Sequence, residues 1–267
     1  MTLINRIKRS IFSRWFKIQD RLNHIGKVRL LDYKGAELYV LAGNLREVET
    51  RANSCAKEPE TVEWIEAYCK PGTVLYDIGA NIGAYSLVAA ANKAQVYAFE
   101  PAYQNFFRLC QNVSLNNMDS VISCFPIAFS SNTAAKNFVY LETSMGTSRC
   151  YHNKEIELQL NVPQEVIRKK TLIYRLDEFQ AQFELPCPHM LKIDVDGAEK
   201  EIIEGASQIL ANPELKTVLI EIDELKFQSN QILEILHRFH FAVEGKHHRS
   251  GKIYNYITKR IQYESAQ

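Results

Sequence analysis

Val74-Leu75-Tyr76-Asp77-Ile78-Gly79-Ala80-Asn81-Ile82-Gly83 takes the chain from an apolar strand into a glycine turn and on into a helical stretch. The glycines stand where the backbone must turn tightly and where a ligand can lie against it. Outward from this turn the pattern alternates. Strands are predicted over 74–77, 95–100, 120–127, 190–194 and 218–221, and helices over 84–92, 103–116, 199–210 and 231–239. Strand, turn, helix, strand is the order of an α/β fold, a doubly wound and mostly parallel Rossmann-like sheet with crossover helices. Residues 135–173 break the rhythm, with Phe138-Val139-Tyr140-Leu141 as an added strand, and read as an insertion on the substrate side. Residues 241–257, turning through Gly245 to Gly251, read as a terminal antiparallel hairpin closing the sheet edge.

Upstream, a helix is predicted over 59–69, ended by Pro71-Gly72, and a hairpin over 28–33 and 36–41 through Lys34-Gly35. Before it, Leu3, Ile7, Ile11, Trp15, Ile18, Leu22 and Ile25 recur at spacings of three and four among basic residues. That is an amphipathic helix, which docks on the core, on a second subunit of a homo-oligomer, or peripherally on a membrane. The chain therefore divides into an N-terminal helix and hairpin extension, 1–57, and a ligand-binding domain, 58–267.

The composition is that of a soluble globular protein, with 46% hydrophobic and 24% charged residues in 267. Lys and Arg number 32 against 31 Asp and Glu, so no net field draws in nucleic acid. The C-terminal half also lacks a basic stripe with interleaved aromatics. The six cysteines form no C-x-x-C pair, which fits reduced thiols and a cytoplasmic location. Basic residues interrupt the N-terminal apolar runs, so no signal peptide is expected, and no stretch reaches the roughly 20 apolar residues of a membrane span.

The dinucleotide fingerprint needs its second glycine so that a pyrophosphate can approach the backbone, and here Asn81 occupies that place. A side chain there crowds a pyrophosphate but can bond the amino-acid end of S-adenosylmethionine. Asp77 at the strand end, expected to face the same crevice, suits that ligand's ammonium group. Glu100 in Phe99-Glu100-Pro101 lies about twenty positions beyond the turn, where a carboxylate accepts both ribose hydroxyls. Ala128 in Ile127-Ala128-Phe129-Ser130 offers a backbone contact and an apolar wall for adenine. The predicted cofactor set is Asp77, Gly79, Asn81, Gly83, Glu100 and Ala128. Two other readings stand beside it, a nucleotide-dependent oxidoreductase or epimerase on a similar sheet and a non-catalytic interaction module.

DIGANIG, AFEP, YRLDEF, LKIDVDGAE and LIEID, in that order from about 58 to 223, resemble the FkbM family of methyltransferases. The resemblance implies class I methyltransferase architecture and transfer of a methyl group to a hydroxyl of a sugar, glycan or other natural-product scaffold. Asp196 stands where the family often has glutamate, and Tyr76 where it is often aliphatic.

Lys192 and Asp194 lie two apart at the end of the fourth strand and project from one face, beside the switch point where open sheets bind ligands. They are the candidate catalytic pair, with Asp194 to orient or deprotonate an acceptor hydroxyl. Asp196 and Glu199 have capping-box spacing. Glu221 and Asp223 end the fifth strand and read first as carboxylates bordering the acceptor pocket; a divalent metal held with Asp194, as in catechol-type methyltransferases, is the less favoured reading. His152, His189, His247 and His248 supply no metal triad by spacing, and the last two fall in a predicted turn. Ser144 to Arg149 has the make-up of an acceptor-binding loop, with Arg149 set to hold a phosphate or carboxylate.

Overall fold

The computed structural model describes residues 28–42, 48–140, 150–151, 167–225 and 229–261. The amphipathic stretch over 3–25, the loop over 144–149 and His152 lie outside them.

Strands β1 (Val28–Leu30) and β2 (Tyr39–Leu41) form the expected antiparallel hairpin, shorter than predicted. A wide helical turn (Val48–Ala52) and a short helix α1 (Ser54–Lys57) follow. Asp32 after β1 receives the Cys55 and Ala56 N–H groups at 2.9 and 2.7 Å, satisfying free donors at the start of α1. Helix α2 (Pro59–Tyr68) opens on proline, whose fixed φ suits a first helical residue. Then come β3 (Val74–Ile78), α3 (Ala84–Ala91), β4 (Gln95–Phe99), α4 (Tyr103–Leu115) and β5 (Ile122–Phe125).

Beyond β5 the chain departs from the predicted third strand. Pro126 has no N–H with which to continue the ladder. The next pair of residues, β6 (Ala128–Phe129), joins a second sheet with β7 (Ala134–Tyr140), β8 (Cys150–Tyr151) and β9 (Ile167–Tyr174), in the order β6-β9-β7-β8. The predicted insertion is thus built around a small sheet, whose Phe138 and Ile173 pack with Ala102 and Ala128.

The chain returns through α5 (Leu176–Gln182), which the sequence reading left out, to β10 (Met190–Ile193), α6 (Glu199–Glu204), α7 (Ser207–Ala211), β11 (Thr217–Asp223), α8 (Ser229–Arg238), β12 (Phe241–Ser250) and β13 (Ile253–Arg260). The main sheet runs β12-β13-β11-β10-β3-β4-β5. Neighbours from β5 to β11 are parallel, and β13 lies antiparallel to both β11 and β12. The terminal hairpin does not cap the edge in chain order, because its second strand enters the sheet and leaves β12 outermost. Its turn also falls later than predicted, at Gly251-Lys252.

One face of this sheet packs Leu75, Val96 and Leu219 against α2 and α3, together with Leu31, Leu38 and Val40 from the hairpin region. The other packs Tyr76, Phe99 and Ile220 against α5 to α8, where Ile232, Ile235 and Leu236 form the buried stripe of α8. β3 is buried along its whole length, as a central parallel strand must be. The hairpin also docks through amides. Asn112 and Asn116, one turn apart on α4, bond Leu41 N–H and both Tyr39 backbone groups at 2.7–2.8 Å. Cys55, Cys69 and Cys124 are free thiols that burial pushes up to about 12, so they are inert at neutral pH.

The single helix predicted over 199–210 is two. A Cβ at Gly205 would lie 2.3 Å from the Ser130 carbonyl oxygen, so the backbones touch there and the helix is interrupted. Asp177, from the YRLDEF motif, then accepts Ser207 Oγ at 3.1 Å and the Gln208 and Ile209 N–H groups at 3.0 Å, capping α7 from another element. Asp177→Ala should lower stability by about 2–3 kcal/mol, because these donors are left without a partner. The exposed Glu178→Ala should change it by less than about 0.5 kcal/mol. Urea unfolding of both variants checks the contrast.

Candidate active site

A cleft opens at the carboxyl ends of β3, β4 and β10, at the switch point between β3 and β10. Gly79, Asn81, Glu100, Ala128 and Asp194, drawn from four separated segments, all line it. Phe99, Ile127, Phe129 and Phe138 supply apolar wall. Asp77, Gly83 and Lys192, predicted alongside them, lie behind that lining.

Glu100 sits just past β4 and is 5% exposed. Its Oε2 accepts the Asn81 N–H and its Oε1 the Ala102 N–H, each at 2.8 Å, and the Asn105 side chain bonds it as well. Each carboxylate oxygen has a second lone pair, so these contacts orient Glu100 and leave it able to accept from a ligand. Burial pushes its carboxyl up to about 7; Asp196 adds to this, while the two N–H bonds and Asn105 oppose it. Asn105 escaped the sequence reading, although its place five residues after Glu100, in the first turn of α4, was a usable signal.

The two turn glycines serve chain packing. At Gly79, with φ of 80°, a Cβ would stand 1.9 Å from the Asp194 carbonyl oxygen, so only glycine lets the ends of β3 and β10 meet. At Gly83, the N-cap of α3, it would stand 2.5 Å from Leu109 Cδ1 on α4. Asn81 also takes a left-handed φ, 53°, a conformation Asn tolerates best among non-glycine residues. Its Oδ1 is buried and has no hydrogen-bond partner among the described residues.

Asp77 lies beneath the cleft because strand alternation turns it to the face covered by α3. It is 1% exposed, and its Oδ2 accepts Ser86 Oγ at 2.6 Å. The ammonium group it faces is that of Lys192, whose Nζ stands 3.2 Å from Asp77 Oδ1 and 3.2 Å from Asp194 Oδ2. Burial alone would lower the Lys192 pKa, but Asp194, Asp77 and Glu58 outweigh it and raise the value. Burial likewise pushes Asp194 up, and the charge and hydrogen bond of Lys192, with Arg249 and Lys57, hold it below the ordinary carboxylate range.

Beyond Asp194 is a second polar group that sequence reasoning largely missed. Glu58, the N-cap residue of α2, pairs with Arg249 of β12, which also donates to the Lys57 carbonyl oxygen at 3.0 Å and brings its Nε within 3.6 Å of Glu221 Oε2. Tyr85 donates to the Ser54 carbonyl oxygen at 2.9 Å, and Arg51 brings positive charge towards Asp194, Glu100 and Glu58. Glu58 and Arg249 are 191 residues apart, and no motif links them. Burial, then Asp194, raises Glu58 against the pull of Arg249 and Lys192.

The Methyltransferase FkbM domain matches residues 77–243, more than half of the 267. The chain belongs to the FkbM methyltransferases. It is 27% identical over 165 residues to the hexuronic acid methyltransferase AglP of Haloferax volcanii, covering 62% of this chain and 62% of that protein's length. It is 25% identical over 196 residues to the 31-O-demethyl-FK506 methyltransferase FkbM of Streptomyces tacrolimicus, covering 65% and 74%. A solved FkbM methyltransferase from Methylobacillus flagellatus aligns over 73% of this chain and 50% of its own, with 18% identity and a TM-score of 0.45.

The cleft of this FkbM methyltransferase fits S-adenosylmethionine on three observations. The unpartnered Asn81 Oδ1 can receive a donor, Glu100 has free acceptor capacity, and the apolar wall suits a purine. Other candidates have local employment. Glu199 folds back to accept the Gly197 N–H at 2.9 Å, and Ala198 rather than Asp196 is the N-cap of α6. His189 Nδ1 accepts the Val74 N–H at the opposite end of the sheet. His247 and His248 lie on strand β12, not in a turn. Asp223 Oδ1 accepts the Leu225 N–H, and among the described residues no three His, Cys, Asp or Glu side chains gather as a metal site. Nor is any described helix long and apolar enough to cross a membrane.

Glu100 has a folded pKa, about 7, above its unfolded value, so its contribution to stability is full below about pH 4.5 and lost as pH rises through 7. Glu221, raised to about 8, acts in the same direction. Urea unfolding between pH 5 and 8 should therefore show a fall in stability, about 2–3 kcal/mol of it from Glu100. Glu100→Gln should flatten the part of that slope below about pH 7.

Proposed function

We propose that this chain transfers a methyl group from S-adenosylmethionine to a hydroxyl of a sugar, glycan or other natural-product scaffold. The observation that carries this reading is the convergence of Asn81, Glu100, Ala128 and Asp194 on one cleft at the sheet's switch point. When bound, S-adenosylmethionine supplies a methyl group on a cationic sulfur, which leaves as a neutral thioether and needs no acid.

In this reading Glu100 accepts the ribose hydroxyls through its remaining lone pairs, and Asn81 takes a donor from the amino-acid end. Ile127, Ala128 and Phe129 wall the adenine. Asp77 acts from below by fixing Lys192, and Lys192 fixes Asp194. Asp194, 29% exposed and kept anionic, accepts a hydrogen bond from the acceptor hydroxyl and holds its oxygen in line. The two relatives, a hexuronic acid methyltransferase and a 31-O-demethyl-FK506 methyltransferase, support a hydroxyl acceptor.

Calorimetry with S-adenosylhomocysteine should give saturable binding, with none for NAD. Glu100→Ala should weaken it at least about 30-fold, the loss of charge-assisted hydrogen bonds worth about 2 kcal/mol. Asp194→Asn should leave affinity within about threefold and reduce turnover of methyl glucuronide or methyl glucoside about a hundredfold. A folded wild-type protein that binds no S-adenosylhomocysteine would overturn the reading.

A further inference from the structure

The parallel register of β10 and β11 pairs Ile193 with Ile220, which makes Asp194 and Glu221 the next couple along the lip. Their side chains leave the same face of strands about 4.8 Å apart. Both reach the edge, with Asp194 29% and Glu221 22% exposed. Their commitments differ. Asp194 is tied at 3.2 Å to a buried ammonium, and protonating it would leave Lys192 with Asp77 alone. Glu221 lies 3.6 Å from Arg249 Nε, beyond hydrogen-bond range, and that guanidinium already holds Glu58 and the Lys57 carbonyl oxygen. A proton added to Glu221 gives up only this longer ion pair, with the Arg249 guanidinium still held by Glu58.

We propose that Glu221 is the group that takes the proton from the acceptor hydroxyl, while Asp194 beside it remains the orienting anion. The inference rests on the methyl-transfer reading above. As the acceptor oxygen bonds the methyl carbon, the carbon–sulfur pair leaves with sulfur, the O–H pair stays on oxygen, and the proton passes to a Glu221 carboxylate oxygen. The resulting carboxylic acid returns its proton to water through its exposed edge.

The charges around Glu221 suit this role. Asp194 faces it from the end of β10, Glu199 from α6, Glu58 from the N-cap of α2 and Arg249 from β12, while Asn255, its neutral partner on β13, is committed to Glu60 at 2.9 Å. Burial foremost, then the negative charges of Asp194, Glu58 and Glu199, push its carboxyl up to about 8 against the pull of Arg249. A carboxylate with that affinity for protons is a far better base at neutral pH than one held low by a lysine.

The test is Glu221→Gln in the full chain, with S-adenosylhomocysteine affinity, turnover of methyl glucuronide and methyl glucoside, and an infrared carboxyl titration measured together. Expected are affinity within about threefold of wild type, KM little changed, kcat down about a hundredfold, and loss of the limb near pH 8. Asp194→Asn should keep that limb and move it to lower pH, because a neighbouring negative charge is gone. Loss of the limb in Asp194→Asn, with Glu221→Gln still active and titrating as wild type, would overturn the assignment. If neither sugar is methylated, the infrared difference between wild type and Glu221→Gln decides: a carboxyl titrating near 8 supports it, and one ionised below pH 6 removes it. Absence of S-adenosylhomocysteine binding to wild type would instead strike the cofactor reading.

Discussion

A single ammonium group organises the floor of the cleft. Lys192 is almost wholly removed from water, and an unpaired charge there would cost several kcal/mol. It is tolerable because Asp77 and Asp194 stand 3.2 Å away on either side. Asp77 is in turn bonded to Ser86 of α3, so the triad couples two strand ends to the helix that follows the glycine turn. The Gly79 backbone, pressed against the Asp194 carbonyl, adds a steric lock at the same place. Together these contacts set where the Asp194 carboxylate points, with the precision of about 0.5 Å that a functional group in a site requires.

The two sides of the site are built differently. Around Glu100, the orienting donors are the N–H groups of Asn81 and Ala102, in the turns that follow β3 and β4. Around Asp194, just past β10, Glu221, Glu58 and Arg249 come from β11, the residue before α2 and β12, held by ion pairs across long sequence separations.

That contrast also explains what the sequence disclosed. The parallel core was legible because a short apolar run followed by glycine has few interpretations, and Gly79, Asn81, Glu100, Ala128 and Asp194 do gather on one cleft. Asp77 was placed on the right strand but on the wrong side of the lining, since period-two alternation says which residues share a face and not which face is covered. The small second sheet was blurred because Pro126 ends β5 only two residues before β6 starts, and the run reads as one strand. Gly205 divides a helix for a reason that lies in Ser130, far away in sequence. The Glu58–Arg249 pair left no local trace. Asp177, inside a motif suggestive of chemistry, caps a helix instead.

The position of β13 bears on how such a molecule is made. The chain is synthesised from one end, so β11 emerges well before residues 253–260, which form the strand that pairs with it. Until then the backbone of 217–223 is an open sheet edge carrying Val218, Ile220 and Ile222, the kind of template that recruits foreign strands. Arg260 then closes the assembly by donating to the carbonyl oxygens of Leu210, Asn212, Leu215 and Phe239. The passage from open edge to finished sheet is thus compressed into the synthesis of one late hairpin.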